Sequence, residues 1–157
     1  WQVKDGLLSV LESGGGEAAH GGDIVTVDEY GDFELKVDVR LSKGANSGIK
    51  YFVDERRGNA GGAIGHEYQT IDDDHYTVMA LNERQKTGAW YDVMPPTARA
   101  ARPVGDWNTS RLLVRGTTVE HWLNGTLVLR YDITSREAAE GIATSKFKDV
   151  QGYADKI

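Results

Sequence analysis

A chain of 157 residues can bury a real core within one domain, and 39% apolar with 27% charged residues is ordinary for a globular protein. A net charge of −6 argues against a phosphate-binding surface for nucleic acid and against docking on an acidic membrane. The absence of cysteine removes disulfide and thiolate chemistry, and no apolar run reaches the ~20 residues that span a bilayer.

In chain order, the sequence starts at Trp1 rather than Met, which carries the expectation of a removed leader and of an exported, periplasmic protein. Trp1-Gln2-Val3 reads as mid-strand and "GLLSVLES" as a first short strand. "GGGEAAHGG" reads as a loop; its His20 has a weak metal reading beside the default of a solvated side chain. In "FELKVDVRLS" the apolar Phe33, Leu35, Val37, Val39 and Leu41 alternate with Glu34, Lys36, Asp38, Arg40 and Ser42, the period of a half-buried antiparallel strand. "SGIKYFVDE", "HEYQTID", "SRLLVRG", "TVEHWLNG" and "TLVLRYD" read as further strands, separated by Gly, Asn or Asp. Asn124-Gly125 between the last two predicts a type I′ hairpin, whose central residues both need positive φ. "DDDHYTVMALNERQKTG" is the longest interruption, with a helical turn expected at "TVMALNE"; "SREAAEGIATSKFK" is the one stretch of helical character. The sum is an all-β sandwich with long loops at one end, one domain over 1–157. The chain stops at "GYADKI" as if another strand should follow.

Alternation also assigns neighbours, since residues two apart on a strand point the same way. Glu67, Gln69 and Ile71 share one face, opposite Tyr68, Thr70 and Asp72. Lys50, Phe52 and Asp54 oppose Ile49, Tyr51 and Val53. His121 travels with Val119 and Leu123, opposite Glu120 and Trp122, and Arg111 travels with Leu113 and Arg115. Charged groups thus enter rows that should be apolar, as they would where a curved sheet forms a polar groove. Each also has an ordinary reading: Glu67 and Gln69 as a solvated row, His121 as a hydrogen-bonded, semi-buried ring, Trp90-Tyr91 as core aromatics. Asp72-Asp73-Asp74-His75 reads as an acidic loop, solvated or satisfied by a cation or sugar hydroxyls. No phosphate loop, GxGxxG, GxSxG or helical HExxH is present, which leaves nucleotide, serine-hydrolase and zinc-protease chemistry without support.

"EYGDFELKVDVRLSKGANSGIKYFV", "HEYQTIDD", "TGAWYDVMPP", "RPVGDWNTSRLLVRGTTVEHWLNGTLVLRYD" and "SKFKDV" occur in this order from Trp1 to about Tyr153. Together they resemble the 3-keto-disaccharide hydrolase family of bacteria, with "GDWN…EHWLNG" and "NSGI" the most specific stretches. The resemblance implies a concanavalin-like jelly roll of two antiparallel sheets with a carbohydrate groove on the concave face. It also implies a further C-terminal strand pair with a "LQDHG"-like segment, which this chain lacks, so terminal strands are expected to be missing.

The implied substrate is a glycoside oxidised to a ketone at its third carbon. The neighbouring C2–H is then acidic, and its removal gives an enolate that expels the glycosidic oxygen from C1, after which water adds back. That chemistry needs a base, a cation for the enolate oxygen and an acid for the leaving group. The residues assigned are His121 as base or acid, with Glu67 as the alternative base or a metal ligand. Lys50 or Arg111 would steady the oxyanion, Gln69 and Asp72 would bind hydroxyls, and Trp90 or Tyr91 would give a stacking platform. A divalent ion on Glu67, Asp72 or His75 is a further expectation. Trp122 is placed between the sheets and His121 toward the sugar. Two competing readings are a carbohydrate-binding module without catalysis and a laminarinase-type hydrolase, whose "ExDxxE" motif does not occur here.

Overall fold

The computed structural model describes residues 1–11, 22–59 and 62–155; His20 lies outside them. The described elements are β1 (Gln2–Lys4), β2 (Leu7–Ser9), β3 (Phe33–Arg40), β4 (Asn46–Asn59), β5 (Gly62–Ile71), β6 (Trp107–Arg115), β7 (Thr118–Leu123), β8 (Thr126–Asp132) and α1 (Arg136–Ala143). Strands β3, β6, β7 and β8 form one antiparallel sheet in the order β3-β6-β7-β8. Strand β4 pairs with β5, and the 88–91 segment extends that pair through a bridge of Trp90 to Tyr68. The two layers enclose Tyr68, Trp90, Leu112, Val114, Val119 and Leu129. Each such side chain stabilises the fold by roughly 1.5–3 kcal/mol through burial. The result is the expected all-β jelly-roll sandwich. Among the described residues no helix is long and apolar enough to cross a membrane.

Local chemistry explains the joins. Asn124 (φ 50°) and Gly125 (φ 83°) both take the left-handed region that the type I′ hairpin between β7 and β8 requires. The Asn124 side chain also accepts from Thr109 N–H at 2.9 Å and donates to Asn108 Oδ1 at 2.7 Å and Ala100 C=O at 2.8 Å. "GDWN" and "LNG" are therefore two halves of one structural clip that ties the β7–β8 turn to the chain entering β6. An unforeseen second hairpin at the N-terminus uses the same device, with Asp5 (φ 51°) and Gly6 (φ 75°) between β1 and β2.

Four sequence expectations are corrected. The helical turn forms not at 77–83 but at Glu83–Gln85, because Asn82 caps it by accepting from Arg84 N–H while the Gln85 side chain accepts from Asn82 N–H. Phe52 does not share a face with Lys50. It sits at φ 52° within a register shift between Tyr51 and Asp54, so both Tyr51 and Phe52 turn inward. His121 and Trp122 are also exchanged relative to expectation. His121 is wholly buried between the sheets. Trp122 is half-buried on the outer face of β7, donating from Nε1 to Glu120 Oε2 at 2.8 Å.

Candidate active site

The outer face of β4–β5 carries a row of polar side chains. Register places Lys50 opposite Glu67, Gly48 opposite Gln69 and Asn46 opposite Ile71. The 88–91 segment adds the next position: Tyr91 N–H donates to Glu67 C=O at 3.0 Å and Gln69 N–H to Ala89 C=O at 3.1 Å. Since Trp90 faces inward beside Tyr68, Tyr91 faces outward beside Glu67. Lys50, Glu67 and Tyr91 thus lie side by side across three neighbouring chain segments. Lys50 Nζ donates to Asp23 Oδ2 at 2.8 Å, and Lys146 Nζ stands 4.3 Å above the Tyr91 ring centroid. Burial, then the negative charge of Glu67, pushes the Tyr91 phenol above its ordinary pKa, with Asp92 and Tyr76 adding to the effect.

Gln69 is buried on the same face. Its Nε2 donates to Asn46 Oδ1 at 3.2 Å, while its Oε1 has no hydrogen-bond partner among the described residues. Leaving a buried acceptor unmet costs about 1–3 kcal/mol, a cost that folded proteins rarely keep without use. Asn46 in turn reaches Tyr76 Oη from Nδ2 at 3.4 Å.

The remaining assigned residues do not join this row. His121 donates from Nδ1 to Gly88 C=O at 2.9 Å, and its Nε2 accepts from the Tyr51 hydroxyl at 2.8 Å. Burial drives its pKa down to about 3. With both nitrogens engaged in the interior it has no path to substrate, and the base or acid role assigned to it is withdrawn. Trp90 is stacked on Tyr131 with ring centroids 4.4 Å apart and donates to Tyr153 Oη at 3.1 Å, so it is core and not a sugar platform. Arg111 lies on the outer face of the other sheet, bonded to Glu34 at 2.7 Å and standing over Trp122. Its hydrogen bond, followed by that of Lys36, holds the Glu34 carboxyl down at about 2. It cannot serve an oxyanion beside Glu67.

Asp72 is a loop clamp. Its carboxylate accepts from Gly44 N–H at 2.8 Å, His75 N–H at 3.1 Å and Asp74 N–H at 3.2 Å, and His75 Nδ1 lies 3.1 Å away. Burial alone would raise its pKa; the bonds from Gly44, His75 and Asp74 outweigh that and hold it low. The hydroxyl-binding role is thus filled by backbone donors. Glu67 and Asp72 are five residues apart on β5 and its exit, pointing to opposite faces, and Glu67, Asp72 and His75 do not converge. Among the described residues no group of three or more His, Cys, Asp or Glu is placed to share an ion, so this set does not fit the expected divalent cation.

Sequence reasoning missed Asn46, Gly48, Tyr76 and Lys146. The signal for the first two lay in "NSGI". A Cβ at Gly48 would collide with Glu67 Oε1 and lie 2.6 Å from its Cγ and 2.7 Å from its Cδ. Gly48 therefore leaves the space in which the Glu67 carboxylate rests. Gly48→Ala is expected to displace Glu67 and cut turnover at least ~10-fold. Stability should change by less than about 1 kcal/mol, since alanine costs a strand less backbone entropy than glycine. Steady-state kinetics beside a thermal melt checks both halves.

Two shallow hollows among the described residues lie elsewhere, one of about 210 Å³ at Asp73, Glu83, Lys86, Thr87 and Arg99, the other of about 180 Å³ at Leu113, Arg115, Thr118, Glu120 and Arg130. The Lys50–Glu67–Tyr91 row is an open sheet face, bordered by Asp23, Tyr76 and Lys146.

Comparison with known proteins agrees with this architecture. The family described as the 3-keto-alpha-glucoside-1,2-lyase-like domain matches residues 1–153. A curated 3-keto-disaccharide hydrolase of Bacteroides thetaiotaomicron is 33% identical over 161 aligned residues, which cover 94% of this chain and 55% of that protein. The chain thus spans about half the length of that relative. Two crystal structures of a "putative glycosyl hydrolase" from Parabacteroides distasonis are similar. The first has a TM-score of 0.74 at 33% identity, covering 88% of this chain and 68% of the other. The second has a TM-score of 0.61 at 28% identity, covering 69% and 54%.

Proposed function

Because the chain belongs to the 3-keto-alpha-glucoside-1,2-lyase-like domain family, we propose that it is a carbohydrate-active enzyme that cleaves 3-keto-glycosides by elimination and rehydration. The observation that carries this reading is the adjacency of Lys50, Glu67 and Tyr91 on one outer sheet face. Glu67 takes the C2 proton of the ketosugar as its carboxylate. The Lys50 ammonium, steadied by Asp23, faces the negative charge that develops on the C3 oxygen. Asn46, held by Gln69, presents its amide to sugar hydroxyls. Elimination then expels the C1 substituent and leaves a C1=C2 double bond conjugated to the ketone. Water adds across that bond, its oxygen to C1 and a proton to C2, so the net change is hydrolysis. The route needs no pair of carboxylates flanking an oxocarbenium-like centre, and a single carboxylate in this row is in keeping with it. The family and the names of its curated and crystallised relatives support the substrate class.

The test is incubation of the chain with a 3-keto-glucoside and with the same glucoside unoxidised, watching enone absorbance and free aglycone. Cleavage of the oxidised compound alone, with a transient enone, is the expected result. Cleavage of the unoxidised compound would make it an ordinary glycosidase. Binding of the ketosugar without cleavage would make it a binding module.

A further inference from the structure

We propose that Tyr91 is the general acid that protonates the departing glycosidic oxygen, its ring held in place by Lys146; the assignment rests on the elimination reading above. Three observations carry it. The 88–91 segment pairs with β5 so that Tyr91 stands directly beside Glu67 on the reacting face. The Lys146 ammonium covers one face of the ring at 4.3 Å, which obstructs that face as a sugar-stacking platform and leaves the hydroxyl as the group to offer. Lys146 is itself positioned, because its backbone N–H donates to Asp92 Oδ2 at 2.7 Å.

The electrostatics suit an acid that must act second. Burial and the Glu67 charge keep the phenol protonated at neutral pH. When Glu67 accepts the C2 proton its negative charge disappears, and one obstacle to ionising Tyr91 disappears with it. The Lys146 ammonium remains above the ring, where it favours the phenolate. The proton count closes. The C2–H pair becomes the C1=C2 bond as the C1–O pair leaves on oxygen, and the Tyr91 proton goes to that oxygen, giving the free alcohol. In rehydration the Tyr91 phenolate takes a proton from water as its oxygen bonds C1, while Glu67 returns a proton to C2. Both residues end as they began.

Tyr91→Phe keeps the ring and its contact with Lys146, so the variant is expected to fold. Wild type and variant are compared on a 3-keto-glucoside with an alkyl or sugar aglycone and on one with nitrophenol, an anion that departs without protonation. The expected result is a loss in kcat/KM at least ~10²-fold larger for the alkyl or sugar aglycone. Exchange of the C2 hydrogen with solvent deuterium should persist, since enolate formation precedes the acid step. An equal loss on both substrates, or no loss on either, overturns the role of Tyr91 while leaving the elimination reading standing. Cleavage of neither substrate by the wild type overturns both.

Discussion

Glu67→Gln is expected to lower turnover of a 3-keto-glycoside by roughly 10³-fold, within the range a positioned general base supplies, while leaving the melting temperature nearly unchanged. The substitution keeps the side chain's shape, so the space over Gly48 stays filled and the β4–β5 register is not disturbed. Nor does it strand a cation, because Lys50 is paired with Asp23. What it removes is the basicity of the carboxylate. Hydrogen–deuterium exchange at C2 reads that step alone and should fall in parallel with turnover. A variant that exchanges and cleaves within a few-fold of wild type would take the base away from Glu67. The contrast with Gly48→Ala is informative: there the carboxylate survives but is displaced, so a smaller loss follows from misplacement by an ångström or so.

The strands were legible because their signal is local. Alternation in 33–42 and Asn-Gly at 124–125 each determine structure within a few residues, and both behave as their chemistry requires. Which face of a strand looks inward is not local. In "TVEHWLN" the two faces offer His121 with Val119 and Leu123, or Glu120 with Trp122, and size favours burying the tryptophan. The fold instead buries the histidine, because Tyr51 and Gly88 stand opposite it to satisfy both ring nitrogens, partners 70 and 33 residues distant in sequence. The same reason hid the bulge at Phe52, where β4 departs from the period of two. Of the candidate site, Glu67, Gln69 and Lys50 could be read from face-sharing within β4 and β5. Tyr91 could be named only as one of two stacking platforms, because its place beside Glu67 depends on the 88–91 segment joining the sheet and on Lys146 arriving from beyond α1.

The buried histidines make the fold itself acid-sensitive. A chain of contacts runs from Gly88 C=O through His121, Tyr51, Tyr131 and His66 to Tyr153 C=O, at 2.9, 2.8, 2.6, 3.2 and 2.8 Å. Both ends accept only, so each histidine must donate outward to its carbonyl, and its other nitrogen must accept. The Tyr51 proton then serves His121 and the Tyr131 proton serves Tyr51. The 3.2 Å contact between Tyr131 and His66 is left without a proton while both rings are neutral. Protonating one ring would supply it, yet burial outweighs that gain and lowers His66 to about 4 and His121 to about 3, from 6.5. The unfolded chain therefore binds more protons below pH 6.5, and stability is full above that pH and falls as the pH drops toward the folded values. Going from pH 7.5 to 5 should cost about 2 kcal/mol per histidine, about 4 kcal/mol together, by linkage at 1.36 kcal/mol per unit. That window lies above the ordinary carboxylate range, so the histidines dominate it. His121→Ala leaves the Tyr51 hydroxyl and Gly88 carbonyl unmet around a cavity, which should cost about 3–5 kcal/mol and lower Tm by roughly 10 °C. It should also halve the pH effect, to about 2 kcal/mol over the same window, since one of the two depressed rings is gone. Urea titrations at both pH values measure all of this. A His121→Ala protein as stable as wild type at pH 7.5, but inactive, would return the ring to the chemistry and take it out of the core.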